Sequence, residues 1–154
     1  AYGVDPSAAQ IERGRGRPGM VRAQGDCLPF GDRSFSAVFC ECVLSLFPDP
    51  QAGLHEFYRA LDAGGFLALS DLCGPDDGSA ESGSCADRAV PFSRTRAMVE
   101  EAGFEVVLVE DHSRLMVDLA AKLLFAGEAG CACGDRSGLG YFLIIARKKG
   151  WTHV

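Results

Sequence analysis

From Phe35 onward the apolar positions of this chain change their period twice within forty residues. Phe35 to Cys40 alternates too little for a sheet facing solvent, which predicts a strand buried on both faces. Pro48-Asp49-Pro50 then opens a helix, with Leu54, Phe57, Tyr58 and Leu61 recurring at helical spacing. Gly64-Gly65 is expected to end that helix, and Phe66 to Leu72 reads as the next strand. Upstream, Tyr2 to Asp5 reads as a strand end and Ser7 to Arg13 as a helix, capped by Ser7 or Asp5 with Pro6 near its first turn. Gly14, Gly16 and Gly19 stop it, Met20 to Gln24 forms a short strand, and Gly25 to Arg33 is a loop of turn formers. Downstream, a helix runs from an N-cap at Phe92-Ser93 to Gly103, followed by a strand at Phe104 to Glu110, a helix at Arg114 to Ala126 and a last strand at Gly140 to Arg147. Between them, Gly74 to Asp87 is almost devoid of apolar residues and is expected to be a flexible loop. Strands alternating with helices specify an α/β protein, a three-layer Rossmann-like sandwich.

Composition narrows the class. A chain of 154 residues holds one domain with a real core, placed at residues 1–150. No apolar run approaches the roughly 20 residues of a membrane span, and no charged segment followed by an apolar one opens the chain. A cytoplasmic protein with no membrane partner is the expectation. A net charge of -6 opposes a nucleic-acid partner, which requires a basic surface. Arg13, Arg15, Arg17 and Arg22 read as a solvated helix end. The seven cysteines are an odd number, and reduced thiols are expected. Cys40 with Cys42 and Cys131 with Cys133 are CxC pairs, without zinc-site spacing or a nearby histidine, so no metal site is expected. His55, His112 and His153 have no partner pattern that suggests catalysis.

Three loops at the carboxyl ends of predicted strands are where an open α/β sheet binds ligands. They are Gly3-Val4-Asp5-Pro6-Ser7, Gly25-Asp26-Cys27-Leu28-Pro29-Phe30 and Cys40-Glu41-Cys42-Val43-Leu44-Ser45-Leu46-Phe47. A carboxylate just beyond a strand can accept both hydroxyls of a ribose, although Asp5 can equally serve only as a cap. Glu41 can meet a cationic group or point to solvent.

The run QGDCLPFGDRSFSAVFCECVLSLFPDPQAGLHEFYRALDAGGFLALSDL, from Gln24 to Leu72, resembles the middle of a class I S-adenosylmethionine-dependent methyltransferase. The similar branch methylates small molecules such as quinone precursors, and LPFGDRSFSAVFC carries the resemblance most strongly. It implies a mostly parallel sheet with the final strand inserted antiparallel beside its neighbour. It implies S-adenosylmethionine as cofactor, with Asp5 and Pro6 at the adenosyl ribose. Asp26 would accept from the adenine amino group, while the N–H of Cys27 or Leu28 donates to a ring nitrogen. The Cys42 segment would pass under the methionine part, with Glu41, Leu46 and Phe47 facing a small-molecule substrate. The resemblance also implies a first strand-helix unit with a Gly-rich loop ahead of Gly3, missing from this sequence. A sheet interrupted there exposes two strand edges, so a homodimer through those edges is expected, or a different packing of residues 1–24.

Methyl transfer to a small molecule is the leading reading. Positioning matters more to it than acid–base chemistry, so no catalytic side chain is nominated. A non-catalytic methyltransferase-like binding module is one alternative. Another is a thiol-dependent methyltransferase acting on a soft element such as arsenic through Cys42, Cys73, Cys131 or Cys133.

Overall fold

The computed structural model describes residues 1–17, 19–75, 85–125 and 138–150. The elements are β1 (Gly3–Asp5), α1 (Ala8–Arg13), β2 (Met20–Arg22), β3 (Phe35–Glu41), a 3-10 turn (Leu44–Leu46), α2 (Pro50–Ala60), β4 (Leu61–Cys73), α3 (Phe92–Glu101), β5 (Phe104–Asp111), α4 (Ser113–Phe125) and β6 (Gly140–Lys148). The expected α/β class and its antiparallel last strand are both present. β3 pairs parallel with β4, and β6 lies antiparallel between β4 and β5, giving the order β3-β4-β6-β5. β1 and β2 form a separate parallel pair. Among the described residues, no hydrogen-bonded strand joins that pair to the larger sheet. The two bodies touch instead through rings: Tyr2 lies 5.3 Å from Phe30 and 6.0 Å from Phe35.

The core follows the two-residue alternation of the strands. Leu67, Leu69, Ile144 and Ala146 point to one face and are fully buried under α2 and α3. α2 contributes Leu54 and Phe57 at i and i+3, the spacing that puts both on the sheet side. The opposite face has a second, smaller cluster at the strand ends, where Leu72 and Tyr141 meet Met116 of α4.

Several expectations need correction. α2 ends at Ala60, four residues before the Gly64-Gly65 stop. The chain passes directly into β4, and those glycines sit in a register shift against β3 with Gly64 at φ +79°. β3 is not buried on both faces: Cys40 is buried, but Phe39 is 83% exposed and Ala37 and Glu41 are exposed too. α2 and α3 pack on the other side, and among the described residues the second cluster reaches only the strand ends. Ser93 does not cap α3, whose N-cap is Pro91 without a side-chain bond. Gly103, at φ +97°, ends α3 in the left-handed conformation that glycine adopts without penalty. The predicted Gly74–Asp87 loop lies mostly outside the described residues, as do Cys131, Cys133 and His153.

Candidate functional site

Parallel pairing brings the loops after β1 and β2 to one end of their sheet, and those after β3 and β4 to one end of theirs. Asp5 closes β1. One carboxylate oxygen accepts from Ser7 N at 2.7 Å, while Ser7 caps α1 through Gln10 N. Asp5 therefore supports the cap and retains its second oxygen for a hydroxyl. Pro6 is exposed, and its carbonyl accepts from Arg22 Nε at 3.1 Å.

The Gly25–Phe30 loop is a tight turn, with Cys27 N donating to Gln24 O at 3.2 Å. Among the described residues the Asp26 carboxylate takes no hydrogen bond, which leaves its oxygens able to accept one. The expected pair of backbone donors needs correction. Leu28 N donates to Glu56 Oε2 at 2.9 Å, which removes it from the pair of candidate donors. Glu56 is itself gripped by Arg59 through two 2.8 Å contacts, and this guanidinium holds its carboxyl below the usual range. Arg59 reaches on to Phe30 O at 2.9 Å, Asp32 Oδ1 at 2.8 Å and Leu28 O at 3.3 Å. One arginine thus straps residues 28–32 to α2. Sequence reading missed this pair; its trace was Glu56-x-x-Arg59, one helical turn apart.

The third loop leaves β3 through a strained residue. Cys42 has φ +52°, uncommon for a residue with a Cβ. Its N–H donates to Ser70 O at 2.8 Å and its thiol lies 3.6 Å from the Tyr141 hydroxyl. Tyr141 in turn donates to Ser70 Oγ at 3.0 Å, so the ends of β4 and β6 hold the turn in place. Burial pushes the Cys42 thiol and the Tyr141 hydroxyl up from their ordinary values. Glu41 and Leu46 are exposed at this end. Phe47 is not: its ring fills the gap between Gly25 and Gly53, where an added Cβ would come within 2.0 and 2.4 Å of it. Packing against Phe57, 6.1 Å between ring centres, replaces the expected substrate contact.

Asp71, 2% exposed, anchors the same loop from below. Its carboxylate accepts from Ser45 N at 2.9 Å, Ser45 Oγ at 3.2 Å and Leu72 N at 2.8 Å. Desolvation raises its pKa against those bonds. Only its place in the apolar β4 run marked it in the sequence. His55 is exposed on α2, and His112 contacts Glu110 at 2.8 Å. Among the described residues no cluster of three His, Cys, Asp or Glu side chains could hold a metal ion.

Sheet order and loop placement are those of a Rossmann-like α/β fold, and part of the sequence is similar to methyltransferases. Residues 1–69 match the family described as "Methyltransferase domain". The chain is 37% identical over 87 residues to an arsenite methyltransferase of Halobacterium salinarum, which covers 52% of this chain and 22% of that protein. It therefore spans about a fifth of that relative's length. Among solved structures it is similar to the [4+2]-cyclase SpnF, with a TM-score of 0.77 and 21% identity over 97% of this chain and 67% of the other. A methyltransferase 2 acting on phosphoethanolamine nitrogen, from Haemonchus contortus and in complex with S-adenosyl-L-methionine, gives 0.72 and 16% over 96% and 43%. An S-adenosylmethionine-dependent methyltransferase from Mesorhizobium loti gives 0.68 and 19% over 95% and 79%. At these identities the structures share the fold, and a cyclase among them shows that the fold alone does not fix the reaction.

Proposed function

We propose that this domain serves methyl transfer from S-adenosylmethionine to a small molecule. The observation that carries the reading is the joint presentation of Asp5 and Asp26, two carboxylates with acceptor capacity, on neighbouring loops at one end of the strands. Asp5 would hold the ribose and Asp26 the adenine amino group. Cys42, fixed by Ser70 and Tyr141, would border the methionine part. The bound cofactor supplies an electrophilic methyl on a sulfonium. The protein's share is to bind, orient and exclude water, which requires no proton relay. Glu41 and Leu46 face the space a substrate would enter. No helix among the described residues is long and apolar enough to cross a membrane, and the net charge of -6 disfavours nucleic acid. A cytoplasmic, small-molecule enzyme fits both.

Calorimetric titration of S-adenosylhomocysteine into the full-length protein tests the reading. Saturable binding is expected, with Asp5→Ala and Asp26→Ala each costing about 1–3 kcal/mol, the range for an unpaired polar partner. Absence of binding, or binding indifferent to both substitutions, overturns it.

The similarity to an arsenite methyltransferase favours a second reading, methyl transfer to a soft element held by thiols. Cys40, Cys42, Cys73 and Cys85 are all unpaired. Yet burial pushes the thiols of Cys40, Cys42 and Cys73 up, away from the thiolate such binding uses. The small-molecule reading is the better supported.

A further inference from the structure

At the carboxyl ends of β3 and β4, polar side chains from three strands meet on the sheet face opposite α2 and α3. Glu41 is the register partner of Ser70 in the parallel pair, so the two side chains leave neighbouring strands on the same face. The burial alternation agrees: Cys40 and Leu69 turn into the core, while Glu41 is exposed and Ser70 half-buried. Tyr141 reaches across from β6. Its hydroxyl donates to Ser70 Oγ at 3.0 Å and lies 3.6 Å from the Cys42 thiol. Val43 and Leu46, in the loop that follows Cys42, expose apolar side chains.

The oxygens of this group retain acceptor capacity. Ser70 Oγ accepts from Tyr141 and keeps a second lone pair, and the Tyr141 oxygen meets only the weak thiol donor of Cys42. Among the described residues no hydrogen bond or ion pair engages the Glu41 carboxylate. Three oxygen acceptors, one of them charged, match a primary ammonium, which carries three N–H donors and no acceptor. A hard divalent cation is a poorer match, since it asks for about six oxygens. The local field has the sign an ammonium requires. Burial, and after it negative charges that include Asp71 and Glu41, push the Cys42 thiol up from its ordinary value.

We propose that Glu41, Ser70 and Tyr141 bind the ammonium group of a small amine, and that such an amine is the methyl acceptor. The acceptor role rests on the methyl-transfer reading above. The ammonium first sheds one proton to water beside the exposed Glu41. An N–C bond then forms as the S–C bond of the cofactor breaks, so the sulfonium leaves as a neutral thioether and the positive charge returns to nitrogen. Continuity favours this role, because Glu41 runs directly into Cys42, the residue that the same reading puts at the methionine part.

Amide NMR titration of the whole chain with benzylamine, against neutral benzyl alcohol and anionic benzoate, reads the site directly. Benzylamine should shift the Glu41, Cys42 and Ser70 amides, and the other two probes should leave them unmoved. Glu41→Gln keeps the shape and removes the charge. It should weaken benzylamine about tenfold, the equivalent of one charge-assisted hydrogen bond. Tyr141→Phe removes one neutral acceptor and should weaken it about threefold. Glu41 is exposed at a strand end, so its variant should fold, which a dispersed spectrum checks; if Tyr141→Phe unfolds, Glu41→Gln decides alone. Equal shifts with benzyl alcohol, no shift with benzylamine, or indifference to Glu41→Gln overturns the ammonium site. S-adenosylhomocysteine added to the same samples, read at Asp5 and Asp26, separates the two claims. Its binding without benzylamine leaves methyl transfer standing and removes the amine site; benzylamine without it removes the acceptor role. The two should bind together. Displacement of benzylamine by S-adenosylhomocysteine would assign Glu41 to the cofactor's own amino group and overturn the acceptor role.

Discussion

Cys40 lies 2% exposed at the end of β3, and burial, with Asp71 adding a like charge, pushes its thiol up to about 12. The folded state therefore favours the neutral thiol. Its contribution to stability is complete below the ordinary value of 9.0 and is lost as pH rises from there toward 12. Thermal melts across pH 8 to 11 should show this loss (about 1.4 kcal/mol per pH unit at most), and Cys40→Ala should flatten it. An identical slope in the variant would assign the titration to other groups. At pH 8 the native Cys40 should also resist alkylation by iodoacetamide until denaturant is added. In the sequence Cys40 read as a buried hydrophobe, and the apolar strand ahead of it was enough to say so. Cys42 was legible only as part of a loop, because its left-handed backbone and its bond to Tyr141 depend on a strand 99 residues away.

Helix α2 positions the Gly25–Arg33 loop by two contrasting devices. Phe47 wedges between Gly25 and Gly53, where absent side chains leave room for its ring. Arg59 and Glu56 then clamp Leu28, Phe30 and Asp32 by their backbone and side chain. Arg59→Leu should cost about 1–2 kcal/mol of stability, a figure already discounted for partial solvent screening. It should weaken S-adenosylhomocysteine as well, by loosening Asp26, although Arg59 touches no ligand. Melting and calorimetry of the variant check both effects; a lower Tm with unchanged affinity would mean that the strap is structural only. Acid should act in the same direction. The folded pKa of Glu56 is depressed below 4.5, so its contribution is present above that value and is lost as pH falls through the lower folded value. Existence and type of each helix and strand were readable from periodicity and turn residues, whereas the 3-10 turn at Leu44–Leu46 and the end of α2 were not. Gly64-Gly65 looks like a stop, and only the pairing of Phe35 with Leu61 turns the preceding residues into strand.

Across the whole molecule, the sheet order places β1 and β3 each with a hydrogen-bonding edge that takes no partner among the described residues. The larger sheet also presents Phe39 and Phe66 on the side that α2 and α3 leave uncovered. A strand read as doubly buried from its apolar run is thus half-covered in fact, because periodicity reports what a strand can bury and not what arrives to cover it. Unpaired edges recruit other strands, and an edge meeting its own copy about a two-fold axis forms a closed, self-complementary contact. We propose that two chains pair through β3, with Phe39 of each packed beside the joined edges. Light scattering over a concentration series should give the mass of a dimer, and Phe39→Lys should return it to a monomer, since an edge lysine blocks strand addition. A monomer at every concentration refutes the pairing. A dimer that survives the lysine places the contact elsewhere and removes β3 from it.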